Sequence, residues 1–281
     1  MILVDLNQTL ISALMVHGSK IEINEKLVRH IALSSLLHFK QKFSGEYGEM
    51  ILCDDGRNYW RKDIFPYYKQ NRIARRKESP FDWKNIFRCL DVIKSELKSH
   101  FPYKFICIER AEADDVIATL CGSFPNEKKL ILSNDQDLLQ LQKFPNVRQF
   151  SPTQKRFITS DLPKKQLLEK ILRGDPGDGV PNILSDDDTF MNAEKRQTPL
   201  RSKRIEEWLS NAQSFKEFLS NEQYKKNFQR NSLTIDLSNV PEYIRDEVLK
   251  EFEWQKPKKT DFINYFIKHN LKLLASSANE F

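Results

Sequence analysis

In the first half of the chain, each short apolar run ends in carboxylates or leads directly to them. Ile2–Val4 ends at Asp5, and Met50–Cys53 ends at Asp54 and Asp55. Lys104–Ile108 leads into Glu112, Asp114 and Asp115, and Lys129–Ser133 into Asp135 and Asp137. An aspartate after a strand often does no more than cap the next helix. Repetition after every run asks for a common reason. Parallel strands in an open sheet share one C-terminal edge, and ligands bind there. So many negative charges in one crevice repel one another unless cations neutralise them, and an oxygen-only donor set suits Mg²⁺ or Mn²⁺. Glu112 and Asp115, three residues apart, share one helical face. A further pair, Asp175 and Asp178, sits in the turn Gly174–Pro181. Those two are either turn-forming residues or outer ligands of a second ion.

The second chemical signal is basic and aromatic. Arg57, Arg61, Lys62, Lys69, Arg72, Arg75, Arg76 and Lys77 are interleaved with Tyr59, Trp60, Phe65, Tyr67 and Tyr68. Bases supply phosphate contacts, and aromatic faces can stack on unpaired nucleobases. The plainer reading is a solvated basic helix whose aromatics, Trp60 and Phe65 first, pack into the core. Its place directly after the Asp54 strand favours a nucleic-acid contact.

These residues need a scaffold. The apolar runs alternate with amphipathic stretches: Glu25–Phe39 behind an Asn24 cap, and Trp83–Leu97 behind Ser79 and Pro80. Such alternation predicts an α/β fold with a central, mostly parallel sheet covered by helices on both faces. From about Pro163 the pattern is mainly helical, over Lys164–Leu172, Lys203–Leu209, Tyr243–Phe252 and Asp261–His269. Ser185–Gln197 reads as a solvated loop. The expected division is a domain over 1–180, with a basic segment at about 57–79, and a smaller, mainly helical domain over 181–281.

Composition narrows the class. The chain has 281 residues and a formal net charge of +6, so a polyanionic partner is compatible without being demanded. Its four cysteines (Cys53, Cys89, Cys107 and Cys121) have no CxxC or zinc-type spacing, which predicts a reducing, cytoplasmic setting. The start, MILVDLNQT, lacks the basic region of a signal peptide, and no stretch approaches ~18 unbroken apolar residues. No membrane association is expected.

The motifs, in their order, resemble the flap endonuclease and 5′→3′ exonuclease family. Asp54-Asp55-Gly56-Arg57 resembles its D-N-G-K segment, and Tyr67 to Arg72 its Y-P-x-Y-K-x-N-R stretch. Ala111 to Ala118 is close to its EAEADDVIA signature, Ser133 to Asp137 to S-x-D-x-D, and Gly174 to Asp178 to G-D-x-x-D. Tyr59 to Asp63, Tyr265 to Ile267 and Asn279 to Phe281 extend the likeness to the family's T-even-phage ribonuclease H branch. The resemblance implies a 5′-nuclease or PIN-like fold and removal of lagging-strand RNA primers. It also implies cleavage of RNA–DNA hybrids and of 5′-flap or nicked DNA. Two Mg²⁺ (Mn²⁺ substituting) are implied, one held by Asp54, Glu112, Asp114, Asp115 and Asp135 with Asp5 in support. The other would use Asp135, Asp137, Asp175 and Asp178. Asp54 rather than Asp55 keeps the family spacing to Arg57 and Trp60. Lys69 and Arg72 would contact the scissile phosphate, the basic segment would form a helical arch, and the enzyme would be monomeric. A single-strand-binding protein and a sliding clamp are implied partners. The family's glycine-rich hairpin is absent from Asn182–Thr198, so duplex contact shifts towards Arg201, Lys203 and Arg204.

Two other classes compete. Asp5-Leu6-Asn7-Gln8-Thr9 echoes the D-x-D-x-T of haloacid-dehalogenase-type phosphatases, but Asn7 cannot serve as its general acid. An inactive nucleic-acid-binding module would have lost ligand carboxylates, and none of the main positions is missing.

Overall fold

The computed structural model describes residues 1–16, 22–191, 194–256 and 262–281. The predicted runs form β1 (Ile2–Asp5), β2 (Met50–Asp54), β3 (Lys104–Cys107) and β4 (Lys129–Leu132). Two further strands, β5 (Val147–Ser151) and β6 (Arg156–Ile158), complete a six-stranded sheet of order β3-β2-β1-β4-β5-β6. Every pairing is parallel except β5 with β6. The protein is therefore an α/β fold with a mostly parallel sheet.

Alternation of side chains divides the sheet into two faces. On one face, Val4, Leu52 and Leu132 share a core with α2 (Glu25–Tyr47) and α5 (Trp83–His100). On the other, α6 (Ala113–Ser123) lies against β1, β2 and β3, and α11 (Glu242–Trp254) packs on α6. The central strands β1, β2 and β4 are mainly apolar, as sheets covered on both sides require. Asn24 caps α2 as expected, its Oδ1 accepting from Leu27 N at 3.0 Å. The expected Ser79 cap of α5 is corrected to Asp82, whose Oδ1 accepts from Asn85 N at 3.0 Å. A non-helical Asp82 (φ −74°, ψ 81°) directly before Trp83 leaves Pro80 outside the helix. The first helix, α1 (Leu6–Met15), begins at once after β1 with Asp5 as its cap.

Contacts divide the chain into two compact units, and neither is continuous in sequence. A sheet unit comprises Met1–Arg57, Pro80–Thr159 and Glu242–Phe281, and a helical unit comprises Asn58–Ser79 and Ser160–Pro241. This differs from the expected division at 180: the basic segment belongs with the helices, and the last forty or so residues return to the sheet unit. In the sheet unit these carry α11, α12 (Phe262–Lys268) and α13 (Lys272–Ala275), with Tyr265, Phe266 and Phe281 in the core beside Phe101. Asp261, at the start of the helix predicted over Asp261–His269, lies outside the described residues.

The helical unit holds α3 (Arg61–Ile64), α4 (Asn71–Lys77), α7 (Pro163–Arg173), α8 (Ser202–Ser210), α9 (Ala212–Phe218) and α10 (Glu222–Ile235). Its cores join Phe65, Tyr68, Ile171, Val180 and Ile235 in one cluster, and Leu172, Ile183, Ile205 and Trp208 in another. Among the described residues no helix is long and apolar enough to cross a membrane.

Candidate active site

Strand order sets the place of the site. From β1 the chain crosses first to β2 and β3 on one side, then to β4 and β5 on the other. The C-terminal ends of β1 and β4 thus form the topological switch point, where ligands of open α/β sheets bind. Asp5 closes β1, and Ser133 to Asp135 follow β4 directly.

A chain of hydrogen bonds joins these ends. Ser133 Oγ donates to Asp5 Oδ2 at 2.8 Å and accepts from Asp135 N at 3.0 Å. Asp135 Oδ1 accepts from Asp137 N at 2.8 Å and so opens the 3₁₀ turn Gln136–Lys143. Gln149 of β5 donates to the carbonyls of Ser133 and Asp135. From the other side, Asn7 Nδ2 donates to Asp55 Oδ2 at 2.7 Å, and Ala113 N donates to Asp55 Oδ1 at 2.9 Å. Asp55 is thus held between the start of α1 and the positive N-terminal end of α6. Gly56 makes this approach possible: a Cβ there would stand 2.0 Å from the Ile108 carbonyl oxygen. Glu112 caps α6, and Asp115 Oδ2 accepts from Glu112 N at 2.9 Å, forming a capping box. Asp115 therefore does the helix-capping that the plainer reading assigned to such acids. Asp114 is half-buried on the same first turn.

The electrostatics are those of crowded like charges. Burial pushes Asp5 up to about 7, and the charges of Asp55 and Asp135 add to the rise against the Ser133 hydrogen bond. Burial is the main cause of the rise and the neighbouring carboxylates add to it, so Asp5 is both desolvated and crowded by like charge. An oxygen-ligated divalent cation suits both the donor chemistry and this crowding. As they stand, no group of three or more His, Cys, Asp or Glu side chains among the described residues is arranged to hold a metal ion. Asp5, Asp55, Asp115 and Asp135 are each engaged by a hydroxyl or amide donor, and an ionised carboxylate has about four lone-pair sites in all.

The two adjacent aspartates of β2 part company. Asp5 lies in register with Cys53, so Asp55, two residues further on, emerges on the face of Asp5. Asp54 emerges on the α5 side, where its Oδ1 lies 2.6 Å from Lys94 Nζ. The approach is that of an ion pair rather than an aligned hydrogen bond, since Oδ1 has no hydrogen-bond partner of good geometry. The preference for Asp54 as the clustered residue is thus corrected to Asp55, because a period of two sends neighbours to opposite faces.

Asp175 and Asp178 belong to the helical unit, and there both meet bases. Asp175 Oδ2 pairs with Lys170 Nζ at 3.0 Å, while its Oδ1 accepts from Gly177 N at 2.8 Å. Asp178 accepts from Tyr68 Oη at 2.9 Å and pairs with Lys69 at 3.5 Å and with Arg72. Burial alone would raise Asp178, but Lys69, Arg72 and Tyr68 together bring its carboxyl down to about 2. The main chain joins in: Lys69 N donates to the Asp178 carbonyl at 2.7 Å, and Asn71 and Arg75 donate to that of Pro176. The turn thereby anchors the start of α4.

The remaining bases sort by burial. Lys62, Arg75 and Arg76 lie on the surface, while Arg57 ends the sheet unit with its carbonyl bonded to Arg110 N. Arg61 is corrected: it is 2% exposed, stacks over Trp60 and donates to the Thr234 carbonyl, so it serves the core rather than phosphate. Trp60, Phe65 and Tyr68 are buried as well, so the aromatic signal comes mainly from packing. Sequence reasoning gave no role to Asn7, Ser133, Gln149 or Lys94. Ser133 and Asn7 stood beside the quoted acids; Gln149 and Lys94 carried no local signal.

The N-terminal resolvase-like domain of 5′-3′ exonucleases matches residues 10–171, and the C-terminal domain of T4 ribonuclease H matches residues 162–281. The ribonuclease H of Enterobacteria phage T4 is 34% identical over 289 residues, 99% of this chain and 95% of that protein. A 5′-3′ exonuclease of Buchnera aphidicola subsp. Acyrthosiphon pisum is 31% identical over 48% of this chain and 47% of its own length. Among solved structures, the bacteriophage T5 D15 protein co-crystallized with metal ions superposes with a TM-score of 0.66 at 16% identity, covering 90% of this chain and 98% of that one. The T5 D15 flap endonuclease in a pseudo-enzyme–product complex with DNA and metal ions gives 0.62 at 17% identity, over 90% and 97%. At such identities these two likenesses speak for the fold. With strand order, sheet-edge acids and both domain matches in agreement, the chain belongs to the 5′-3′ exonuclease family and is a nuclease.

Proposed function

We propose that the protein hydrolyses phosphodiester bonds at the 5′ ends of RNA–DNA hybrids and of 5′-flap or nicked DNA, with divalent metal ions at the β1/β4 edge, and so removes lagging-strand RNA primers. The observation that carries this reading is the convergence of Asp5, Asp55 and Asp135 at the switch point, with Asp5 raised to about 7. The names of the relatives support it: ribonuclease H for the phage T4 protein, and flap endonuclease for a protein of Shewanella pealeana.

In this reading Asp5, Asp55 and Asp135 hold Mg²⁺, with Mn²⁺ able to substitute, and Glu112, Asp114 and Asp137 complete the shell directly or through water. Two ions are the number that the family resemblance brings. Bound, they would supply a deprotonated water and neutralise the leaving 3′-oxygen. Ser133 and Gln149 fix Asp135, and Asn7 fixes Asp55. Lys69 and Arg72, by the family resemblance, contact the phosphate group and neutralise its charge. We assign Asp175 and Asp178 to anchoring the basic segment, since both are matched by bases of their own unit.

Digestion of 5′-labelled RNA–DNA, flap and nicked substrates in Mg²⁺, with product sizing, tests the proposal. Short products released from the 5′ end, absent in chelator, are expected. Cuts far from any 5′ end, or undiminished turnover in chelator, would refute it.

A further inference from the structure

Lys94 is a cation at the acidic edge that the reading above leaves unused. It stands on α5, with a side chain 14% exposed, and meets a carboxylate whose side chain is 7% exposed. A charge so enclosed is costly unless paired, and here the pair is made between β2 and the helix that covers it. Asp54 is adjacent to Asp55, so an unmatched Asp54 would add a further negative charge beside a cluster already short of cations. We propose that Lys94 is a positioning residue that sequesters Asp54 on the α5 side and sets the net charge of the metal-binding edge, leaving Asp55 as the β2 carboxylate offered to metal. This inference rests on the metal reading, because only a site that takes cations feels the difference.

Geometrically, strand alternation turns Asp54 away from Asp5, and the Lys94 ammonium holds it there. Electrostatically, the pair is neutral as a whole, so the edge experiences it as a dipole rather than as a further acid. Removing one partner alone therefore exposes the edge to a bare charge whose sign depends on which partner is lost. Even when screened at a water-like dielectric of about 80, a unit charge about 6 Å from a divalent cation changes its affinity by roughly ten-fold.

The test is Mn²⁺ binding to the full chain without nucleic acid, followed by the electron paramagnetic resonance of free Mn²⁺. Lys94→Met frees the Asp54 carboxylate and is expected to tighten Mn²⁺ binding about ten-fold. Asp54→Asn leaves the ammonium unmatched and is expected to weaken it about ten-fold. The double variant returns to within about three-fold of wild type, and Lys94→Arg behaves as wild type. Should Lys94→Met not fold, Asp54→Asn against the double variant isolates the ammonium, and the double variant must bind more tightly. Single variants that shift affinity in the same direction, or by less than two-fold, overturn the proposal. A wild-type chain that takes up no Mn²⁺ at all refutes the metal reading itself, a separate result.

Discussion

Two sets of aspartates end up in opposite electrostatic states. At the edge of the sheet unit, Asp5 is raised to about 7 by burial and by Asp55 and Asp135. In the helical unit, Asp178 is half-buried, and Lys69, Arg72 and Tyr68 bring it down to about 2 against the effect of burial. Sequence motifs put both among the acids of one family pattern. The structure separates them by what each one meets: an amide, a hydroxyl and other carboxylates in the first case, and two bases in the second. A carboxylate matched by bases holds structure together; one crowded by its own kind is poised for a cation from outside.

The largest expected effect separates Asp55 from Asp54. Asp55→Asn should lower the rate of 5′-flap cleavage by about a thousand-fold or more, and Asp54→Asn by less than about thirty-fold, both read in single-turnover assays. Comparable losses would dissolve the distinction between the two faces of β2. Next comes Asp178. Folded, it ionises at about 2 and, unfolded, near 3.8, so its stabilisation is complete above pH 4 and fades as pH falls towards 2. Asp178→Asn should therefore cost about 2 kcal/mol at pH 7, with the cost shrinking in acid, as denaturant titration can show. A smaller effect of opposite sign is expected at Asp5. Folded Asp5 keeps its proton to about 7, whereas an unfolded aspartate releases it near 3.8. Without metal, this group makes stability fall as pH rises from 4 to 7, so Asp5→Asn should be more stable than wild type at pH 7.5 in chelator, by about 1–2 kcal/mol, while losing activity. An Asp5→Asn that is less stable in chelator would contradict the crowding.

Much of the sheet unit is legible in the sequence because four of its strands are short, mainly apolar and lead to acids. β1 to β4 and the caps at Asn24 and Asp5 follow from that pattern. β5 and β6 do not, since Val147–Ser151 mixes Arg148 and Gln149 with its apolar residues and β6 has three residues at the sheet margin. α10 reads as polar, yet Asn227, Arg230 and Asn231 are buried through hydrogen bonds to the Ile183, Pro181 and Ile171 carbonyls. Such burial depends on partners distant in sequence, which no local period reveals. The same limit applies at the site. The acids are visible by type, whereas the choice of Asp55 over Asp54 depends on the register of β2 against β1, and the role of Asp178 on bases a hundred residues away.

The claim that the sheet-edge acids await a cation is most directly tested without nucleic acid. Thermal unfolding of wild type and of Asp55→Asn at pH 7.5 should be recorded in chelator and in saturating Ca²⁺, a divalent cation that takes oxygen ligands. Ca²⁺ should raise the wild-type midpoint by several degrees and that of Asp55→Asn by far less. Equal shifts in both proteins, or none in the wild type, would contradict it.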